Sequence, residues 1–145
     1  MAYTPTNAKW YISELVEQIA VEGDPRNVVH KNLVLIRADS PEEAYQKALQ
    51  LGREREISYE NPAGKQVRFR FRGLSELNAI SDELEHGAEL LYEEKIGVSD
   101  EEIERYILPK DQLNVFRPIE QNRAPDYSSG EIMEELRHLL GESTK

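Results

Sequence analysis

Between Val28 and Gly73 three folding signals follow one another without a break, and together they leave little choice of fold. Val28 to Ala38 carries the apolar run Leu33, Val34, Leu35, Ile36, rich in residues that favour strands. A run of that kind suits a central strand covered on both faces. Ser40 then opens a helix. Its hydroxyl is placed to cap the amide of Glu43, Glu43 is placed to reach back, and Pro41 occupies the first helical position, where a missing amide costs nothing. Glu42 and Glu43 suit the positive end of the helix dipole. Ala44, Tyr45, Ala48, Leu49 and Leu51 form the apolar stripe, with alanines small enough for close approach to a sheet. The third signal is a hairpin. Ile57 to Glu60 and Lys65 to Leu74 flank the turn Asn61, Pro62, Ala63, Gly64. In the second arm Val67, Phe69 and Phe71 alternate with Arg68, Arg70 and Arg72, so the two sets face opposite sides of a sheet. Gly73 marks a bend or a close backbone approach.

Trp10 to Val21 reads two ways. Tyr11, Ile12, Leu15, Val16, Ile19 and Ala20 recur at helical spacing. The segment has no N-cap, however, and the loop Gly23 to Asn27 leads straight into a strand, as in a long hairpin. Past the hairpin, Leu90, Tyr92 and Ile96 alternate and predict a further strand over 88–96. Ser99 caps a short helix that ends before Pro109, and Leu113 to Phe116 forms a small strand or simply packs. Residues 118–130 read as a linker, and 131–141 as an amphipathic helix with Ile132, Met133, Leu136, Leu139 and Leu140 on one face. The expected architecture is α+β: a mostly antiparallel sheet of about five strands, one main helix over 40–55 packed on it, and short C-terminal helices. The domain covers 1–117.

At 145 residues the chain suits one domain, which buries roughly 70% of its unfolded surface and needs no metal or disulfide to hold it. It has no cysteine, so thiolate metal sites are out of reach and a reducing compartment is compatible. The first residues lack the apolar run of a secretory signal, and no stretch is long enough for a bilayer span. A soluble cytoplasmic protein is the expectation, with no cofactor. The net charge of -10 repels phosphate backbones and argues against non-specific nucleic-acid binding. The same charge serves solubility alone equally well.

Trp10 and Tyr11, then the stretch from Val29 through Tyr45, Lys47, Ala48 and Gly52, resemble a bacterial family catalogued as a domain of unknown function (the DUF4288 series). The likeness continues through Glu60, Asn61 and Pro62, Gly64, Val67, Phe69, Phe71 to Leu74, and Gly87 to Leu90, covering about residues 10–94. It implies that Trp10 to Val21 is a strand, and it implies no activity.

Of candidate sites, the row Arg68, Arg70, Arg72 is the sharpest. Residues two apart on a strand project from one face about 7 Å from each other, and with Lys65 they make a basic strip on an acidic protein. One reading is a site for an anion, an acidic peptide or a carboxylate metabolite, since guanidinium binds oxyanions in bidentate fashion. The other pairs the arginines with acids such as Glu89 or Glu93, or with a second subunit. His30, His86 and His138 are scattered without metal-ligand spacing, and no nucleophile elbow or phosphate loop is present. Trp10, Tyr11, Tyr45, Tyr59 and Tyr92 are expected in the core or half-buried on the sheet. Between Asp82 and Glu104 ten acids face Lys95, a net charge of -9 that suits a basic partner or a solvated face. The terminal helix must dock on its own domain or on another copy. These features suggest a non-catalytic cytosolic module that binds a protein partner or itself. The alternatives are an anion-binding domain and an acidic inhibitor or immunity-type protein.

Overall fold

The computed structural model describes residues 8–118 and 124–129. These fall into two compact units: residues 8–91 with 124–129, and residues 92–118.

The first unit is a four-stranded antiparallel sheet with one long helix. Its elements are β1 (Trp10–Val21), β2 (Val28–Arg37), α1 (Pro41–Glu54), β3 (Ile57–Glu60) and β4 (Gln66–Ala79), and the strand order is β2-β1-β4-β3. The expected fifth strand over 88–96 does not form. Residues 80–98 contain no strand, and Leu90, Tyr92 and Ile96 are exposed. Their alternation survives, but Glu89, Glu93 and Glu94 crowd the same stretch.

β1 is a strand, as the family likeness implied, and it lies at the centre of the sheet. Tyr11, Ser13, Leu15, Glu17, Ile19 and Val21 are all buried on one face at every second position, and of the outer-face residues Ile12 alone is buried as well. The helical periodicity was an artefact of that central position. Ile12 and Val16 belong to the outer face, while polar Ser13 and Glu17 stand on the inner one. Ser13 satisfies its hydroxyl by donating to the Glu76 carbonyl, 2.8 Å away.

β2 is an edge strand and not, as its apolar run suggested, a central one. Val34 and Ile36 pack inward with Tyr11, Ala44 and Ala48 under α1. Leu33 and Leu35 point the other way, and Leu33 keeps 56% of its surface exposed.

Helix α1 starts as read: the Glu43 amide donates to Ser40 Oγ at 3.1 Å, with Pro41 in the first turn. The Glu43 carboxylate turns forward to Lys47 Nζ, 2.9 Å away. Ala44, Ala48 and Gly52 form the buried line, whereas Tyr45 is exposed. A Cβ on Gly52 would lie 2.3 Å from Cε1 of Phe71, so the ring of β4 occupies the notch this glycine leaves.

β4 carries two bulges. Arg72 and Ser75 have no partner in the register with β1, which runs Glu17 to Phe71, Val16 to Gly73, Leu15 to Leu74 and Glu14 to Glu76. Each extra residue reverses the alternation. The inner face therefore reads Val67, Phe69, Phe71 and then Leu74, Leu77, Ala79, opposite Val21, Ile19, Glu17, Leu15, Ser13 and Tyr11. Gly73 sits between the bulges at φ 141°, a backbone setting open to glycine.

The β3–β4 turn is organised by Asn61. Its Oδ1 accepts from the amides of Ala63 and Lys65, and its Nδ2 donates 2.9 Å to the carbonyl of Asp126. Tyr127 packs on Phe69 and His30 and joins a second apolar cluster with Ile19, Val21 and Val67. The Tyr59 hydroxyl donates to the Tyr127 carbonyl, and burial raises the Tyr59 pKa above its ordinary value, with Asp126 adding to the effect.

The second unit holds α2 (Asp100–Tyr106), capped by Ser99, followed by two 3-10 turns, Lys110–Gln112 and Asn114–Phe116. Leu113 to Phe116 is thus neither strand nor packed: Leu113, Val115 and Phe116 are exposed. The amphipathic segment 131–141, with Ile132, Met133, Leu136, Leu139 and Leu140, lies outside the described residues.

Candidate functional site

The outer sheet face brings the sequence-predicted arginines together. Arg68 and Arg70 stand opposite Ala20 and Gln18 of β1. Arg72 occupies the first bulge, and its Nη1 still reaches this face by donating to Gln18 Oε1. All three are exposed. Glu89 and Glu93 lie on no strand of the sheet, so the expected cross-strand pairing has no strand to come from. Among the described residues none of the three guanidinium groups forms an ion pair. Across the same face, β2 offers Val29, Leu33 and Leu35, exposed and interrupted by Lys31, whose Nζ lies 3.9 Å from the Glu14 carboxylate. The face thus combines an apolar row at one edge with free positive charge beyond the central strand. It can take a partner of opposite charge and apolar complement.

The inner face holds a polar group that the sequence reading missed. Glu17 is 2% exposed, lies opposite His30 of β2 and Phe71 of β4, and accepts from Arg55 Nε at the end of α1. Its second carboxylate oxygen has no partner among the described residues, and neither has the nearby amide nitrogen of Asn32. The pair sits between the cluster under α1 and the cluster around Tyr127. A carboxylate taken from water in such a place requires its cation. The signal was present in the sequence: Glu17 falls in phase with Tyr11, Leu15, Ile19 and Val21. Recognising it required knowing that the segment is a strand.

Two recesses accompany these features. One, of about 550 Å³, lies beside the β1–β2 turn, with Asp24, Arg26, Lys65 and Asp126 among its walls. The other, of about 350 Å³, lies between β2 and α1. In the first, Asp24 and Arg26 already engage each other at 2.8 Å. Among the described residues no group of three or more histidine, aspartate or glutamate side chains is placed to hold a metal ion. No helix there is long and apolar enough to cross a membrane.

Residues 92–118 form a surface of another kind. Val98 alone is half-buried, and every other residue is exposed. Ile96 and Val115 keep 88% and 85% of their surface in solvent, and Tyr92, Tyr106, Ile107, Leu108 and Phe116 are exposed as well. Two lysines lie over aromatic rings within the segment. Lys95 Nζ sits 4.7 Å above the Tyr106 ring and Lys110 Nζ 5.1 Å above Phe116.

A four-stranded antiparallel sheet with a single helix across one face and two bulges in its longest strand defines a small α+β module. Its particular family follows from comparison with known families: residues 10–92 match the family described as "Domain of unknown function (DUF4288)", more than half of the chain. The chain belongs to that family. No curated protein and no solved structure matches it.

Proposed function

We propose that this chain is a non-catalytic interaction module, cytosolic in setting, that binds a protein partner or a second copy of itself. The observation that carries this reading is the apolar surface of residues 92–118, on which no side chain is buried. Monomeric soluble proteins seldom leave contiguous apolar surface uncovered, and where they do, it marks an interaction site. The sheet adds a second surface suited to the same work, a ten-residue edge strand with Val29, Leu33 and Leu35 exposed. A triple variant, Ile96→Ser, Ile107→Ser and Val115→Ser, tests the reading. Because these side chains are exposed, the melting temperature of the sheet unit stays unchanged while binding of a hydrophobic dye falls. A variant that instead unfolds the sheet would show that these residues serve its core, and the reading would fail.

The unpaired guanidinium groups of Arg68 and Arg70 favour a second reading, a site for a small anion. Millimolar sulfate or phosphate then raises the melting temperature of the wild type but not of Arg70→Ala. Equal shifts in both proteins would dismiss it.

A further inference from the structure

The free edge of β2 follows from its hydrogen bonds, residue by residue. The Ala38 amide donates 3.0 Å to the Lys9 carbonyl, and the register with β1 runs from Trp10 opposite Arg37 to Ile19 opposite Val28 without a shift. Bonded residues alternate along an antiparallel pair, so the even-numbered residues of β2 bond to β1. The amides and carbonyls of Val29, Lys31, Leu33, Leu35 and Arg37 therefore face away from the sheet. The Arg37 carbonyl accepts from Lys47 Nζ at 2.7 Å, as that orientation requires. Among the described residues no other backbone group of this row has a hydrogen-bond partner. The strand holds neither proline nor bulge, and Val29, Leu33 and Leu35 are exposed. Its two cations are engaged on their own sheet: Lys31 Nζ lies 3.9 Å from the Glu14 carboxylate, and the Arg37 guanidinium 5.7 Å from the centre of the Trp10 ring. A long edge without such protection is a template for another strand. We propose that β2 pairs with β2 of a second copy, antiparallel about a two-fold axis at Asn32, so that the two sheets become one.

The partner is a copy of this chain because the strand complements itself in one register. Bonded residues must face bonded residues, so odd numbers pair with odd and the axis falls on a residue. An axis at Lys31 sets that lysine on its twin, and an axis at Val34 sets it against the partner's Arg37; directly opposed like charges are destabilising. An axis at Leu33 sets Asn32 against the partner's Val34, His30 against the partner's Ile36 and Val29 against the partner's Arg37. An axis at Asn32 matches like with like. Val29 then meets the partner's Leu35, Val28 meets the partner's Ile36, and Asn32 meets its twin, amide to amide. The two Lys31 side chains are only diagonal neighbours, each beside its own Glu14. The recess of about 350 Å³ between β2 and α1, walled by Ile36 and Leu51 among others, flanks this edge and takes the partner's Val28. The contact is isologous and closes, since each copy uses its one β2 edge on the other. The inference rests on the interaction reading above and adds the identity of the partner and the surface it uses.

The test uses the full chain, read by sedimentation at several concentrations, with circular dichroism to confirm the fold. The wild type is expected to be a dimer. Leu33→Pro removes an amide of the free edge and none that β1 uses, so this variant keeps its circular dichroism and loses the dimer. Amide exchange in the wild type gives the same information without a substitution: the Leu33 and Leu35 amides exchange slowly in the dimer and rapidly on dilution. Oxidation reads the register. The chain has no cysteine, and Asn32→Cys places two thiols in a facing pair with Cα atoms about 4.5 Å apart, close enough for a disulfide. That variant is expected to form a linked dimer, whereas Val34→Cys, opposite the partner's His30, does not. A wild type that stays monomeric at every concentration overturns the proposal, and so does a dimer whose Leu33 and Leu35 amides exchange as fast as in the monomer. Linking through Leu33→Cys in place of Asn32→Cys refutes the register. A dimer that survives Leu33→Pro and resists linking through Asn32→Cys uses another surface, and the proposal then fails while the interaction reading stands. That reading fails separately, if the serine changes at Ile96, Ile107 and Val115 leave dye binding untouched.

Discussion

Residues 10–79 and residues 92–118 use the same vocabulary to opposite ends. Both contain a serine-capped helix and alternating apolar residues among charges. In the first, the alternation of β1 buries six residues in a row of odd positions, and the cap of α1 serves a helix whose alanine line lies on the sheet. In the second, α2 is capped just as its sequence promises and buries nothing. Local signals decide what shape a segment takes. Whether that shape joins a core depends on a second apolar surface being within reach, because most helical stability comes from packing.

The sharpest way to break this comparison is to attack Glu17, the one buried acidic side chain among the described residues of the first region. Arg55→Ala leaves the buried Glu17 carboxylate with neither oxygen paired. The cost is expected to be about 2 kcal/mol of unfolding free energy, less than for a fully buried pair because the Arg55 side chain is 45% exposed. Urea denaturation measures it. Adding Glu17→Leu should recover much of the loss, since an apolar pair of similar volume avoids the desolvation penalty. If Arg55→Ala is neutral, the Glu17 site is not the water-free interior that the contrast requires.

A smaller effect sharpens the contrast directly. Ser40→Ala removes the acceptor for the Glu43 amide and should lower stability by about 1 kcal/mol, the usual worth of an N-cap. Ser99→Ala removes the equivalent acceptor for the Glu102 amide, yet the melting transition of the sheet should not move. Equal losses from the two changes would mean that residues 92–118 unfold together with the sheet.

Much of the first region was legible in the sequence because its signals are short-ranged. The Ser40 cap, the Asn61 to Gly64 turn and the alternation from Val67 to Phe71 each depend on neighbours within a few residues. The errors arose where long-range partners decide. An apolar run such as Leu33 to Ile36 is compatible with a central strand or with an edge whose outer face is apolar, and strand order alone separates the two. The alternation of Leu90, Tyr92 and Ile96 satisfies the rule for a strand, yet the stretch forms none, because alternation alone does not supply a neighbouring strand. Of the candidate site, Arg68 and Arg70 were placed correctly on one face, since strand periodicity fixes that. Their lack of acidic partners was not legible, and neither was the bulge that takes Arg72 out of register. Glu17 was hidden by the helical pattern of its own strand.

The smallest effect divides the two regions by pH. In the β1–β2 turn, the Arg26 side chain donates to the Asp24 carboxylate at 2.8 and 3.1 Å and the Arg26 amide adds a third bond, which holds the Asp24 pKa below its ordinary 3.8. A carboxyl depressed in the folded state adds stability above its unfolded pKa, and that contribution is lost as pH falls through the folded value. In the second region, the hydrogen bond of Lys95 to the Tyr106 hydroxyl raises the lysine pKa above 10.5, with Glu93 assisting. Its contribution is complete below that value and fades as pH rises through the folded one. Asp24→Asn should therefore differ from wild type above about pH 4 and converge with it in stronger acid. Lys95→Met should differ through neutral pH and converge in strong alkali. Both differences should be small, because both groups are exposed, and added salt should shrink them further. Chemical shifts of turn amides near Asp24, and of the Tyr106 ring for Lys95, report each titration separately. Were the Lys95 change to alter the acid limb seen at Asp24, the two regions would share one titration and could not be treated as independent.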